Sequence, residues 1–288
     1  MSNYVNLLAK IHIHPLLWVM IGISVITASF KLLMMLMVIV FIHEMGHAFS
    51  AHFFSWRIKS IMLLPFGGVA EVEEHGNRSL KEELIVVLAG PLQHLWLQGV
   101  AFLLYSGMII QSADYEMFTF YNLSIFFFNL LPVWPLDGGK LLFIFFSQFF
   151  SYRKAHAYMM VTSVISLMIY IIGILLTSPH YLNMWMITIF LLYSLYHEHK
   201  NRMYGHLRFL MERYYGKQQS IKKLKPIVVE ESESIHEVLL QFHRGCKHSI
   251  VVEREGLKLS ELDENELLHA YFSTKLVDSR VGDLVYPY

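Results

Sequence analysis

Apolar residues fall in long, nearly unbroken blocks over the first two-thirds of the chain and in short alternating runs over the last third. The blocks lie at about 15–30, 32–55, 84–110, 118–150, 157–177 and 181–197. An α-helix needs about 20 such residues to cross hydrocarbon, so the pattern predicts about six transmembrane helices. The fourth block is too long for one straight crossing. Its middle reads NLLPVWPLDGGK, where Pro132, Pro135, Gly138 and Gly139 must interrupt the helix. Irregular backbone at membrane depth is tolerated only where protein or a watery cavity surrounds it, so the break itself points to a site.

The polar connections set the orientation. SYRKAH (151–156) and the region after His197 are basic, whereas QSADYEMF and TSPHYLN carry no Lys or Arg. Six crossings with both termini cytoplasmic satisfy this charge bias, with Lys31 as the one exception in an outside turn. The first block follows Lys10 as a signal peptide would, but another apolar block comes at once, which predicts a retained helix.

After His199 the pattern changes. Residues 200–225 hold eight Lys or Arg against one Glu, which reads as a basic juxtamembrane linker touching anionic headgroups. From 226 onward PIVVE and HSIVVE read as strands. SIHEVLLQFHR opens with a capping box, Ser234 to Glu237, ahead of a helix, and LDENELLHAYF reads as a second one. The expected organisation is therefore a transmembrane domain over 1–199, a linker over 200–225 and a small cytosolic α/β module over 226–288. About sixty residues is near the lower limit for a module that folds alone.

Composition agrees with a polytopic α-helical membrane protein: 55% of residues are hydrophobic, only 16% are charged, and mean hydropathy is positive. Net charge is zero, which gives no field for direct nucleic-acid binding. The lone Cys246 excludes an internal disulfide framework and a cysteine-based zinc site.

Against this background the second block carries intruders. HEMGH places His43 and His47 one turn apart on one helical face, where both imidazoles reach one metal ion. Glu44 projects to a different side, suited to a general base rather than a ligand. Ionisable groups in a membrane span are costly and usually functional. A hydrolytic zinc site needs a third protein ligand. Asp114 and Glu116 lie in an outside loop, and Glu71, Glu73 and Glu74 in a polar segment; Asp137 is the only carboxylate in the broken block, where the turn can aim it inward. Two neutral imidazoles and one carboxylate around Zn2+ suit a low-dielectric setting. The competing reading is a transporter with a midplane ion or proton site of His43, Glu44, His47 and Asp137 around a discontinuous helix. A third is a silent membrane scaffold. Of the other histidines, His12, His14, His197 and His199 read as interfacial, and His75, His156, His180 and His206 as solvated.

HEMGH followed some ninety residues later by NLLPVWPLDGG resembles the site-2 protease family of intramembrane zinc metalloproteases. LPFGGVA (64–70) is similar to that family's membrane-dipping loop, and AGPL (89–92) to the opening of its next helix. The resemblance implies zinc held by His43, His47 and Asp137 with Glu44 as base. Trp134 and His94 depart from the family, where many members have Pro and Asn. The tail resembles a single CBS-type unit, which implies pairing into a homo-oligomer and binding of ATP or another adenine nucleotide. Six spans plus such a tail are most similar to the family's sporulation proteases. That implies a sigma-factor precursor as membrane-associated substrate, inhibitory and anchoring membrane proteins as partners, and a place in the mother-cell-derived membrane around the forespore.

Overall fold

The computed structural model describes residues 11–13, 15–56, 58–64, 67–72, 78–177, 179–216 and 223–285. It divides into two compact units. One comprises residues 1–73, 81–141 and 163–194, the other residues 74–80, 142–162 and 195–288.

The first unit is built on helices α1 (Pro15–Ile26), α2 (Phe30–Phe53), α3 (Leu80–Ser106) and α4 (Ser112–Asn129), the start of α5 (Asp137–Phe149), the later part of α6 (Tyr152–Thr177) and the first turns of α7 (Leu182–Tyr215). Three helices, α2, α3 and α6, are long and apolar enough to cross a membrane. Three of the six expected crossings are thus met by length and composition among the described residues. α1 has only 12 residues, α4 has 18 with a polar first turn, and α7 (Leu182–Tyr215) mixes apolar and basic turns over 34. The apolar distribution is that of a membrane protein. On α6, Val161, Val164, Ile165, Met168, Ile169 and Ile172 are exposed, while Ser163, Leu167 and Ile174 are buried at helical spacing. Lys31, the exception to the charge bias, pairs with Asp114 of the loop predicted on the same side.

Two strands between α2 and α3, β2 (Ile58–Leu64) and β3 (Gly67–Val72), form a three-stranded sheet with β1 (Ile11–Ile13), which precedes α1; the order is β1-β2-β3. β1 runs parallel to β2, and β2 and β3 form an antiparallel hairpin closed by the Leu64–Gly67 pair. Among the described residues β3 has one strand neighbour and therefore one free edge. Within the predicted LPFGGVA loop, Pro65 and Phe66 lie outside the described residues, as do Arg57, Glu73, Glu74, His75 and His14.

In the second unit β4 (Leu224–Glu230) pairs parallel with β5 (Lys247–Arg254), which pairs antiparallel with β6 (Leu257–Asp263). The helices α8 (Ile235–Leu239), α9 (Glu264–Phe272) and α10 (Gly282–Val285) complete a small sheet-and-helix module. The predicted capping box is present: Ser234 accepts from the Glu237 amide and Glu237 from the Ser234 amide. β6 is absent from the predicted elements because LKLSELD contains too few β-branched or aromatic residues to signal a strand.

The stretch read as a basic linker is helical as far as Tyr215, the end of α7. Phe209 and Leu210 of this helix join the core of the sheet with Ile227, Ile250, Val252 and Leu268, which adds apolar area that sixty residues cannot supply. Arg213, expected at lipid headgroups, is buried instead. Its Nη2 lies 2.6 Å from Glu264 Oε2 and 2.5 Å from the Cys246 carbonyl, and Nη1 donates to the His243 carbonyl at 2.8 Å. His156 and His206, expected in solvent, are also buried. His156 Nε2 meets Glu198 Oε1 at 2.8 Å, and the His206 ring lies against Tyr152 and Phe209. Aromatic neighbours explain the difference: an imidazole flanked by rings is covered as they pack.

Candidate metal centre

Helix α2 is enclosed on all sides at one level, where residues 43–48 are buried consecutively. A helix that is apolar or covered all round sits inside protein, and here the covered turn is the polar one. His43 and His47 project from the same face, and their Nε2 atoms are 3.1 Å apart. The third group comes from the helix break. After α4 ends at Asn129, short turns run through Val133, whose amide reaches the Leu131 carbonyl at 2.7 Å, and Leu136, whose amide reaches Val133 at 2.9 Å. The Trp134 amide donates to buried Ser163 Oγ at 3.1 Å, which ties the break to α6, and the Trp134–Pro135 bond is cis. α5 then starts at Asp137, where the positive end of the helix dipole favours a carboxylate. Gly138 permits this path, because a Cβ there would overlap the Leu130 and Leu131 carbonyls that close α4.

Asp137 Oδ2 stands 3.1 Å from both His43 Nε2 and His47 Nε2, so three donor atoms form a triangle with 3.1 Å edges. All three residues are buried. Asp137 Oδ1 accepts from Lys140 Nζ at 3.0 Å, one turn on. Glu44 is buried beside them on α2. Gly90, the glycine of AGPL, faces His47 so closely that a Cβ would collide with its ring; the motif leaves room for the imidazole.

The donor set fits a zinc ion. His47 Nδ1 lies 2.8 Å from the Val86 carbonyl and so carries its proton, leaving the Nε2 lone pair aimed at the triangle. Lone pairs of two imidazoles and a carboxylate oxygen converging at 3.1 Å repel one another unless a cation lies among them. Ligand atoms on a tetrahedral zinc with bonds of about 2.0–2.1 Å are about 3.3 Å apart, close to these edges.

The structure thus brings together His43, His47 and Asp137, with Glu44 adjacent. It leaves Asp114 with Lys31, and Glu116 accepting from Ser112 Oγ, both away from the site. The Asn129 amide donates to its own helix, to the Ile125 carbonyl at 3.0 Å. Three polar residues went unassigned in the sequence: Lys140, His94 and Asn122. Lys140 was signalled by its i, i+3 spacing from Asp137; His94 and Asn122 by the rule that singled out His43, a polar side chain in an apolar span.

Comparison with known proteins decides the family. A model of peptidase family M50 matches residues 31–113 and 111–172, which contain all four residues of the centre. Stage IV sporulation protein FB of Bacillus subtilis is 50% identical over 288 residues, covering all of both chains. The chain belongs to peptidase family M50, the site-2 proteases. A zinc metalloprotease of Methanocaldococcus jannaschii is 33% identical over 155 residues, 51% of this chain and 44% of that protein. The solved structure of a site-2 protease from the same organism aligns with a TM-score of 0.52 at 26% identity, covering 65% of this chain and 89% of that one. This chain is accordingly an integral membrane zinc metalloprotease, and the transporter reading of its broken helix gives way to the peptidase one.

Proposed function

We propose that this M50 protease holds its zinc on His43 Nε2, His47 Nε2 and Asp137 Oδ2, uses Glu44 as general base, and cleaves a membrane-associated sigma-factor precursor during sporulation. The observation that carries the site assignment is the 3.1 Å triangle of converging lone pairs. Zinc held by these residues would supply Lewis acidity, polarising a carbonyl and acidifying water. Glu44 takes the proton of the attacking water and passes it to the leaving amide nitrogen. Lys140 holds the outer oxygen of Asp137 and keeps Oδ2 turned to the histidines. A helical substrate must unwind before its carbonyl can be attacked; the extended segment would then add to the free edge of β3, with main-chain hydrogen bonds fixing its register.

The full-length similarity to a protein named for sporulation stage IV supports the sporulation role; the membrane around the forespore as its place, and inhibitory and anchoring membrane proteins as partners, complete the proposal. Six crossings with cytoplasmic termini remain the topology we infer. α4 and α5 share one crossing, and α7, about 50 Å long at 1.5 Å per residue, extends beyond it. The strand–helix–strand–strand–helix order of residues 224–272 is compatible with a CBS-type module; its pairing and its adenine nucleotide are part of the proposal and follow only from that resemblance. Unchanged thermal stability of the purified protein over a millimolar range of ATP removes the nucleotide from this reading.

Co-expression with membrane-tethered candidate substrates tests the function. The wild type should cleave a sigma-factor precursor, and Glu44→Gln and Asp137→Ala should leave it intact at equal expression. Cleavage by Glu44→Gln at the wild-type rate rejects the assignment.

A further inference from the structure

His94 lies on α3, fully buried. Its Nε2 is 3.0 Å from His43 Nδ1, the nitrogen on the side of the ring facing away from the triangle. It is therefore not a fourth ligand in this arrangement. Its Nδ1 is 2.8 Å from Asn122 Oδ1, on α4. Asn122 is fully buried, and its Nδ2 reaches the His94 backbone carbonyl at 3.0 Å and Gln98 Oε1 at 3.2 Å.

These contacts allow one assignment of protons. A backbone carbonyl can only accept, so the atom of Asn122 facing it is the amide nitrogen. The Asn122 oxygen then faces His94 Nδ1, which must carry the ring proton. His94 Nε2 is left as an acceptor, and the partner that donates to it is His43 Nδ1–H. A neutral His43 protonated at Nδ1 has its lone pair on Nε2, the atom in the triangle. The opposite tautomer of His43 would put a proton where the metal binds. It would also require His94 to donate from Nε2, leaving its Nδ1 lone pair against the Asn122 oxygen.

We propose that His94 and Asn122 are positioning residues that fix the tautomer and ring orientation of His43, with the His94 backbone carbonyl setting the direction of the whole hydrogen-bond chain. His47 has the equivalent support in a single step, from the Val86 carbonyl. The two ligands on one helix are thus oriented by different means. One is held by main chain alone, the other by a side-chain relay that substitution can break. Metal ligands commonly depend on such outer partners, whose loss weakens binding about 10–100-fold. The proposal rests on His43 being a zinc ligand, and the experiment separates the two.

Full-length protein in nanodiscs would be titrated with Zn2+ against a competing chelator, and the visible absorption of the Co2+-loaded protein recorded, for wild type, His94→Leu, His94→Gln and Asn122→Leu. Gln places an amide oxygen near the position of Nε2 and can still accept from His43. The expected result is zinc affinity about 10–100-fold weaker for His94→Leu, with altered Co2+ bands, and near-wild-type values for His94→Gln. Asn122→Leu keeps the His94 ring but frees its tautomer; it should weaken zinc in the same direction, and it stands in if His94→Leu does not fold. Wild-type affinity and Co2+ bands in the leucine variants overturn the relay while leaving the ligand set intact. A wild-type protein that binds no zinc overturns the ligand set, and the relay with it.

Discussion

Gly90 shows how closely the centre is packed at the scale of single residues. Its missing side chain is the space occupied by the His47 ring. Gly90→Ala must displace that imidazole, since the three atoms nearest to a Cβ there all belong to the His47 ring, in a close-packed interior with little room to yield. The expected outcome is loss of stoichiometric zinc and of cleavage in a protein that still purifies with wild-type helix content, as measured by metal analysis and circular dichroism. The same scale shows what a sequence can disclose. His43, Glu44 and His47 are legible because their relation is set within one helical turn. Asp137 is legible because prolines and glycines mark the turn that aims it. His94 and Asn122 lie 51 and 79 residues from His43, and only packing of α2, α3 and α4 places them in line. Sequence supplies the polar anomaly; it does not supply the partner.

Among the elements, α7 departs furthest from its predicted form. Read as an apolar crossing followed by a charged linker, it is one helix of 34 residues whose last turns enter a folded core. Local charge count could not distinguish a solvated Arg from Arg213, whose partner Glu264 is fifty-one residues away. The side chains of the pair are 1% and 4% exposed, and the guanidinium also caps the carbonyls of His243 and Cys246. Removing one member strands the other charge in a dry setting, so Arg213→Ala should destabilise the second unit by about 3–5 kcal/mol. Hydrogen exchange of the β5 amides reads this directly. Protection equal to wild type would show that water reaches the pair. The elements of the broken fourth block, by contrast, follow from Pro132, Pro135, Gly138 and Gly139, and they start α5 on Asp137 itself.

For the molecule as a whole, the second unit carries a pH dependence separate from the metal centre. Burial lowers His206 to about 4, helped by nearby His236 and Arg153. Burial likewise lowers His248 to about 4, with Arg213 and His243 adding repulsion. His248 is neutral for a visible reason: its Nε2 accepts the His243 amide at 2.8 Å while Nδ1 faces the Lys225 carbonyl. Both groups titrate near 6.5 when unfolded, so between about 4 and 6.5 the unfolded chain binds more protons than the folded one. Stability is therefore full above 6.5, falls as pH drops through that window, and levels off below 4. The loss is about 1.4 kcal/mol per pH unit for each histidine. Hydrogen exchange of the second unit across this range should show it, and His206→Phe should remove its share. No change in protection between pH 7 and 5 would contradict the burial of these rings.

The same large scale holds the central claim, that a polar turn buried in a membrane protein is a hydrolytic zinc site. The most direct measurement takes one preparation of reconstituted wild-type protein and one of Glu44→Gln, and determines on each both the zinc content and the cleavage of a tethered substrate. One zinc per chain is expected in both, with cleavage only in the wild type. Cleavage by Glu44→Gln at the wild-type rate, or full activity in wild-type protein stripped of zinc, would contradict it.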